Sequence, residues 1–174
     1  MGNRARRCLL AVGVGLWTSA VSADVIEIAG PDGPLQGEAI VVDGADHAVV
    51  IIPGSGPVDR DGNASSMMVQ SDTYKLLAEG LAEAGVASIR IDKRGFGGSA
   101  LAVSDPSQIT IDAYAQDALD WASRAAELAP CVWLAGHSEG ALVALVAATQ
   151  QSPDQVCGLI LMAGPGRPVG TVMR

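Results

Sequence analysis

Apolar positions along the chain follow two rhythms. His47–Ile52 (HAVVII) is a nearly continuous β-branched run, the pattern of a strand buried on both faces. Val86–Ile91 (VASIRI), Val132–Ala135 and Gly158–Met162 (GLILM) repeat it. Between these runs the period changes to that of a helix. Tyr74, Leu77, Ala78 and Leu81 fall at i, i+3, i+4 and i+7 within residues 72–84, and Gly85 supplies the stop. Thr110 is a candidate N-cap for a helix running to about Leu128, with Ile111, Tyr114, Ala118, Trp121 and Ala125 as its buried stripe and Pro130 beyond its end. A third helix, rich in Ala, Val and Leu, runs to about Gln150 before Pro153-Asp154. Two weaker strands, Val25–Ile28 and Glu38–Val42, flank the turn cluster Gly30-Pro31-Asp32-Gly33 and read as an edge hairpin. Strand–helix alternation of this kind predicts the α/β class: a mostly parallel sheet with right-handed crossovers and helices on both faces. Ligands of such sheets bind beyond the carboxyl ends of the strands. The glycine-rich loops 53–63 and 95–98 and the turn GHSEG all follow such ends.

Residues 1–23 stand apart from this pattern. Arg4, Arg6 and Arg7 precede the apolar stretch Cys8–Trp17, and Val21-Ser22-Ala23 closes it with small residues. That order is a secretory signal, with cleavage near Ala23 and export to the periplasm or medium. The apolar run is too short for a membrane span, which needs about 20 residues. Residues 24–174 are then expected to be the N-terminal part of one α/β domain without a membrane span, and Cys131 and Cys157 would sit in an oxidising compartment.

Composition narrows the function classes. The 174 residues carry 11 Lys+Arg against 19 Asp+Glu, a formal charge of −8, so nucleic acid is an unsuitable partner. With 49% hydrophobic and 17% charged residues the chain has the material for a core and is not of the disordered class. Three Cys without a C-x-x-C, and two His, do not make a usual structural zinc site; no metal is expected.

The chemistry concentrates at Gly136-His137-Ser138-Glu139-Gly140, a G-x-S-x-G placed after an apolar strand and before a helix. So tight a turn needs residues of minimal size two places either side of the central Ser, hence Gly136 and Gly140. It lifts the Ser138 hydroxyl above the sheet as a candidate nucleophile, at a helix N-terminus whose amides favour negative charge. Acyl transfer needs two backbone N–H donors at the oxyanion. The amide of Glu139 is one candidate. Ser55, in Pro53-Gly54-Ser55-Gly56 after the central strand, is the other, with Gly56 in reserve. Gly54-x-Gly56 lacks the third glycine of a dinucleotide fingerprint, and no Walker lysine follows.

With these motifs in view the chain resembles the α/β-hydrolase superfamily, and within it the serine aminopeptidase-like and dienelactone hydrolase-like bacterial hydrolases. The resemblance rests on IIPGSGPVDRDGN, YKLLAEGLAEAG, IDKRGFGGS and LAGHSEGALVALVAA with GLILMAGPGRP, which together span most of residues 49–168. It implies an eight-stranded sheet, a Ser–acid–His triad, and hydrolysis of esters, thioesters or amides without a cofactor. Relatives often carry His before the oxyanion-loop glycine, where this chain has Pro53; backbone donors are indifferent to that change.

The triad order in this fold is Ser, acid, His, and no His follows Ser138. His137 is adjacent to the nucleophile and reads as a packed or capping residue. His47 begins the central strand, at the opposite end of the sheet. The apolar GLILM strand would make a bare edge without charge, Pro or bulge. The expectation is therefore an N-terminal part of a longer hydrolase, with the last strands, acid and His beyond residue 174; a complete but inert protein is the alternative. The expected function is a serine hydrolase cleaving small carboxylic esters. An exported peptidase or amidase, and a catalytically inert binding protein, are the other readings. Asp92 and Arg94 are expected to brace their own loop rather than clamp a substrate carboxylate, and Asp59, Arg60 and Asp61 to order theirs. The Glu139 side chain is expected to face solvent or cap its helix, and Met67 and Met68 to line a pocket or the core. Cys131 and Cys157 each precede a strand at the same edge of the sheet, close enough to bridge. A disulfide and two buried thiols remain the two options.

Overall fold

The computed structural model describes residues 22–150, 156–167 and 171. The leader over residues 1–23 lies almost wholly outside the described residues. Among the described residues six strands form one sheet: β1 (Ala23–Ile28), β2 (Leu35–Ile40), β3 (His47–Ile52), β4 (Ala87–Ile91), β5 (Cys131–His137) and β6 (Val156–Met162). Three helices, α1 (Thr73–Glu83), α2 (Ile111–Ala125) and α3 (Glu139–Thr149), connect them. The spatial order is β1-β2-β4-β3-β5-β6. β1 and β2 form the edge hairpin and β2 runs antiparallel to β4, while β4, β3, β5 and β6 are parallel.

The period-2 alternation of the central strands divides the core in two. Ala48, Val50 and Ile52 of β3, with Ala87, Ile89 and Ile91 of β4 and Val132 and Leu134 of β5, face α2 and α3. Val49, Ile51 and Ala135 face α1, where Tyr74, Ala78 and Ala82 cover them. Helices therefore lie on both faces, and β3 is buried from Ala48 to Ile52 because each of its side chains meets one or the other.

α2 starts where Thr110 accepts a hydrogen bond from the Ala113 amide at 3.1 Å. Its buried stripe is wider than the apolar spacing predicts, because Asp117 is buried as well as Ala115, Leu119 and Ala122. β2 begins at Leu35, earlier than the predicted Glu38. Gly37 looks like a turn residue but pairs with Ile91, and a Cβ there would lie 3.0 Å from the Trp121 ring. The glycine makes room for the largest side chain of the core. At the other edge β6 pairs only with β5 among the described residues, and Ile160 and Leu161 are 39% and 47% exposed.

Two polar side chains are buried within β4: the Ser88 hydroxyl has no hydrogen-bond partner among the described residues, whereas Arg90 is ion-paired. Arg90 of β4, 1% exposed, forms ion pairs with Glu38, its cross-strand neighbour on β2, and with Asp61. Cys131 and Cys157 are joined by a disulfide, with Cα atoms 5.6 Å apart. It ties the first residue of β5 to the edge strand β6.

Candidate active site

The site is built at the carboxyl ends of β3, β4 and β5. β5 ends at His137 and α3 begins at Glu139, so Ser138 alone makes the turn. Its backbone sits at φ 54°, ψ −114°, a region that non-glycine residues rarely occupy. Holding it there stores on the order of 1–3 kcal/mol. The flanking glycines meet the crowding that such a turn creates. A Cβ on Gly136 would lie 2.0 Å from the Gly140 carbonyl oxygen, and one on Gly140 would lie 2.3 Å from the Ile52 carbonyl oxygen. The Ser138 amide donates to Met162 at 2.9 Å, which fastens the turn to β6. Among the described residues no side chain hydrogen-bonds the Ser138 hydroxyl.

The loop after β3 lies directly against this turn. A Cβ on Gly54 would stand 3.2 Å from His137 Nδ1 and 3.4 Å from Ser138 Cβ. Ser55 and Ser138 line one cleft of about 310 Å³, together with Val58, Thr73, Tyr74 and His137. Among the described residues the amides of Ser55, which shares this cleft with Ser138, and of Glu139, which follows Ser138, have no acceptor. A second cleft of about 330 Å³ opens on the Glu139 side, lined by Gly56, Lys93, Phe96, Ile109 and Tyr114.

Several neighbours were illegible in the sequence. Tyr74 belongs to the apolar stripe of α1, yet its hydroxyl reaches the site, accepting from the Gly54 amide at 3.2 Å and lying 2.8 Å from His137 Nδ1. The phenol oxygen has two lone pairs, so besides accepting from Gly54 it either donates to Nδ1 or accepts from it, according to the His137 tautomer. Burial pushes the Tyr74 phenol above its ordinary value, opposed by the Gly54 hydrogen bond, so the group stays a neutral phenol. The Glu139 side chain neither faces open solvent nor caps its helix: it is paired with Lys93 at 3.0 Å. Lys93, 4% exposed, also donates to the Gly54 carbonyl at 2.6 Å and lies over the Phe96 and Tyr114 rings.

The loop residues brace the site, with partners other than those expected. Asp92 pairs with Arg60 at 2.8 Å and accepts the amides of Arg60 and Gly98, each at 2.8 Å. Arg94 forks onto Asp117 of α2, with Nε 2.7 Å from Oδ2. Asp59 orders its own loop, accepting the amides of Asp61 and Asn63. Met67 and Met68 are 63% and 95% exposed and contribute neither to the core nor to the two clefts. His47 stands at the exposed start of β3, where Trp133 Nε1 approaches its Nδ1 at 3.4 Å. No cluster of metal-ligating side chains and no helix long and apolar enough to cross a membrane occurs among the described residues.

A strand–turn–helix with a strained serine is shared by many hydrolases, and comparison of the whole chain decides among them. Residues 65–169 match the family model Hydrolase_4, serine aminopeptidase, S33. The chain belongs to this family. No curated protein sequence matches it. Its fold is that of the α/β hydrolases, with similarity over 83% of the chain to GrgF from a Penicillium species (TM-score 0.65, 21% identity). A dienelactone hydrolase from Anabaena variabilis (0.63, 22%) and an esterase from Pyrococcus furiosus (0.61, 22%) also match over 83% of the chain. These matches cover 46%, 64% and 51% of the respective structures, so the serine aminopeptidase-family chain spans about half the length of its structural neighbours.

Proposed function

We propose that the protein is an exported serine hydrolase of carboxylic esters, with Ser138 as nucleophile and the amides of Ser55 and Glu139 as oxyanion donors. The observation that carries this reading is the Ser138 backbone at φ 54°, ψ −114°, held strained between a strand and a helix at the edge of a cleft that Ser55 also lines. Strain of this kind persists only where the surrounding structure enforces it. In the reaction Ser138 Oγ attacks the ester carbonyl and gives up its proton to a base. The oxyanion lies between the two amides, and its collapse expels the alcohol, which takes a proton as it leaves. Water then repeats the sequence on the acyl-enzyme and releases the acid. Neither histidine of these residues is available as the base, since His47 is at the far end of β3 and the His137 ring is engaged by Tyr74 through Nδ1. The reading therefore requires a histidine and its acid from outside residues 1–174. Export rests on the sequence of residues 1–23, and the Cys131–Cys157 disulfide suits an oxidising compartment.

The family's description as a serine aminopeptidase favours amide cleavage as a second reading. One panel separates them: p-nitrophenyl esters of increasing acyl length against aminoacyl p-nitroanilides, using the full-length natural protein and its Ser138→Ala variant. Ester turnover that exceeds anilide turnover, and that falls by about 10⁶-fold to background in Ser138→Ala, is expected. Preferential anilide cleavage would transfer the assignment to the peptidase. Turnover of neither would leave an inert binding protein on this fold.

A further inference from the structure

The two side chains flanking Ser138 each hold a residue that grips the backbone of Gly54, from opposite sides. His137 is bonded to Tyr74, which receives the Gly54 N–H. Glu139 is paired with Lys93, which donates to the Gly54 C=O. We infer that Tyr74 and Lys93 are positioning residues, a clamp on the two peptides that meet at Gly54: Tyr74 holds Pro53–Gly54, and Lys93 holds Gly54–Ser55 so that its N–H, not its carbonyl, is turned toward the oxyanion. This inference rests on the hydrolase reading above.

In the Gly54–Ser55 peptide the C=O and N–H lie in one plane and point in opposite directions. A cation bonded to the Gly54 carbonyl therefore dictates where the Ser55 amide points. Such a restraint is needed here. Gly54 offers little resistance to rotation of the adjoining peptide, and Gly56 two residues on is already at φ 78°. A flip would exchange a donor for a carbonyl lone pair beside the developing negative charge. Lys93 opposes the flip through a charge-assisted bond that is buried and therefore little screened by water. Glu139 supplies its counter-charge, and the Phe96 and Tyr114 rings, centred 5.4 and 5.3 Å from Nζ, occupy the space around it. The same clamp spaces the oxyanion loop from the elbow, because each arm ends on a residue adjacent to Ser138. Substrate in the ground state gains little from this aim, whereas the tetrahedral intermediate gains fully. Loss of the clamp therefore belongs in kcat rather than KM.

The test uses the full-length natural protein and p-nitrophenyl butyrate. Lys93→Met keeps the length and apolar stem of the side chain and removes the donor. It is expected to lower kcat by about 10²-fold, the effect of one oxyanion donor, with KM within about twofold. Tyr74→Phe removes only a hydroxyl and is expected to lower kcat by about tenfold with KM similarly unchanged. The double variant should lose less than the product of the two, because both fix the backbone at Gly54. A kcat within twofold of the parent in either variant, or a parallel loss in KM and melting temperature, would overturn the clamp. Should Lys93→Met fail to fold, the near-isosteric Tyr74→Phe decides alone by the same criteria. Undiminished turnover by Ser138→Ala would instead remove the hydrolase reading, and with it the clamp.

Discussion

At the scale of single residues the site is held by charges drawn from separate segments. Arg94 and Asp117 show how tightly. Burial raises the Asp117 carboxyl above its ordinary value, while the Arg94 guanidinium pulls it down. The hydrogen bond to Asp117 in turn raises Arg94. Arg94→Met would strand a carboxylate that is 5% exposed, at a cost of about 3–5 kcal/mol near neutral pH. The sign of the pH dependence follows. With the folded pKa above the unfolded one, the protonated acid contributes its stability below about pH 4, and that contribution is lost as pH rises through the folded value. The variant's deficit in melting temperature, about 10 °C, is thus expected to grow from pH 5 to pH 8. Asp117→Asn added to it should flatten that dependence, and a deficit independent of pH would rule this account out. Pairings of this kind were not legible in the sequence. Gly136, Ser138 and Gly140 declare themselves because a tight turn imposes their sizes at fixed spacing. Lys93 and Glu139 lie 46 positions apart, and nothing local marks them as partners.

At the scale of elements the strands were read best where both faces are buried, because a β-branched run has few alternatives. β3 spans His47–Ile52 as its pattern predicts. β2 begins at Leu35 rather than Glu38 because Gly37 is a paired strand residue, whose Cβ would lie 2.9 Å from the Arg90 carbonyl and 3.0 Å from the Trp121 ring, neither of them near it in the chain. The helices agree to within a few residues where a cap marks the boundary, as Thr110 does for α2. β5 and β6 owe part of their association to the disulfide, which closes a separation of 26 residues. In the chain-entropy account such a loop stabilises by about 3.5 kcal/mol. Paired Cys131→Ser and Cys157→Ser substitutions are expected to lower the melting temperature of the protein purified without reductant by about 10 °C. Unchanged melting, or free thiols detected in the untreated protein, would show that β6 is held by its hydrogen bonds alone.

At the scale of the whole molecule the strand-end site and the two-faced core follow from the same alternation, which is why the fold class was legible throughout. What the alternation does not encode is the proton acceptor for Ser138. Residues 24–174 expressed alone are expected to hydrolyse p-nitrophenyl butyrate at background rate, since the oxyanion donors without a base leave only about 10³-fold over water. They are also expected to self-associate through β6, where Ile160 and Leu161 are exposed on an edge. Leu161→Lys should reduce that association in sedimentation velocity, and turnover within tenfold of the full-length protein would reveal a base inside these residues. The central claim is that Ser138 is the nucleophile. Its most direct test is fluorophosphonate labelling of the full-length natural protein, with the adduct mapped by tandem mass spectrometry. The account predicts one adduct, on Ser138, absent from Ser138→Ala; an adduct on another residue, or labelling that survives the substitution, would contradict it.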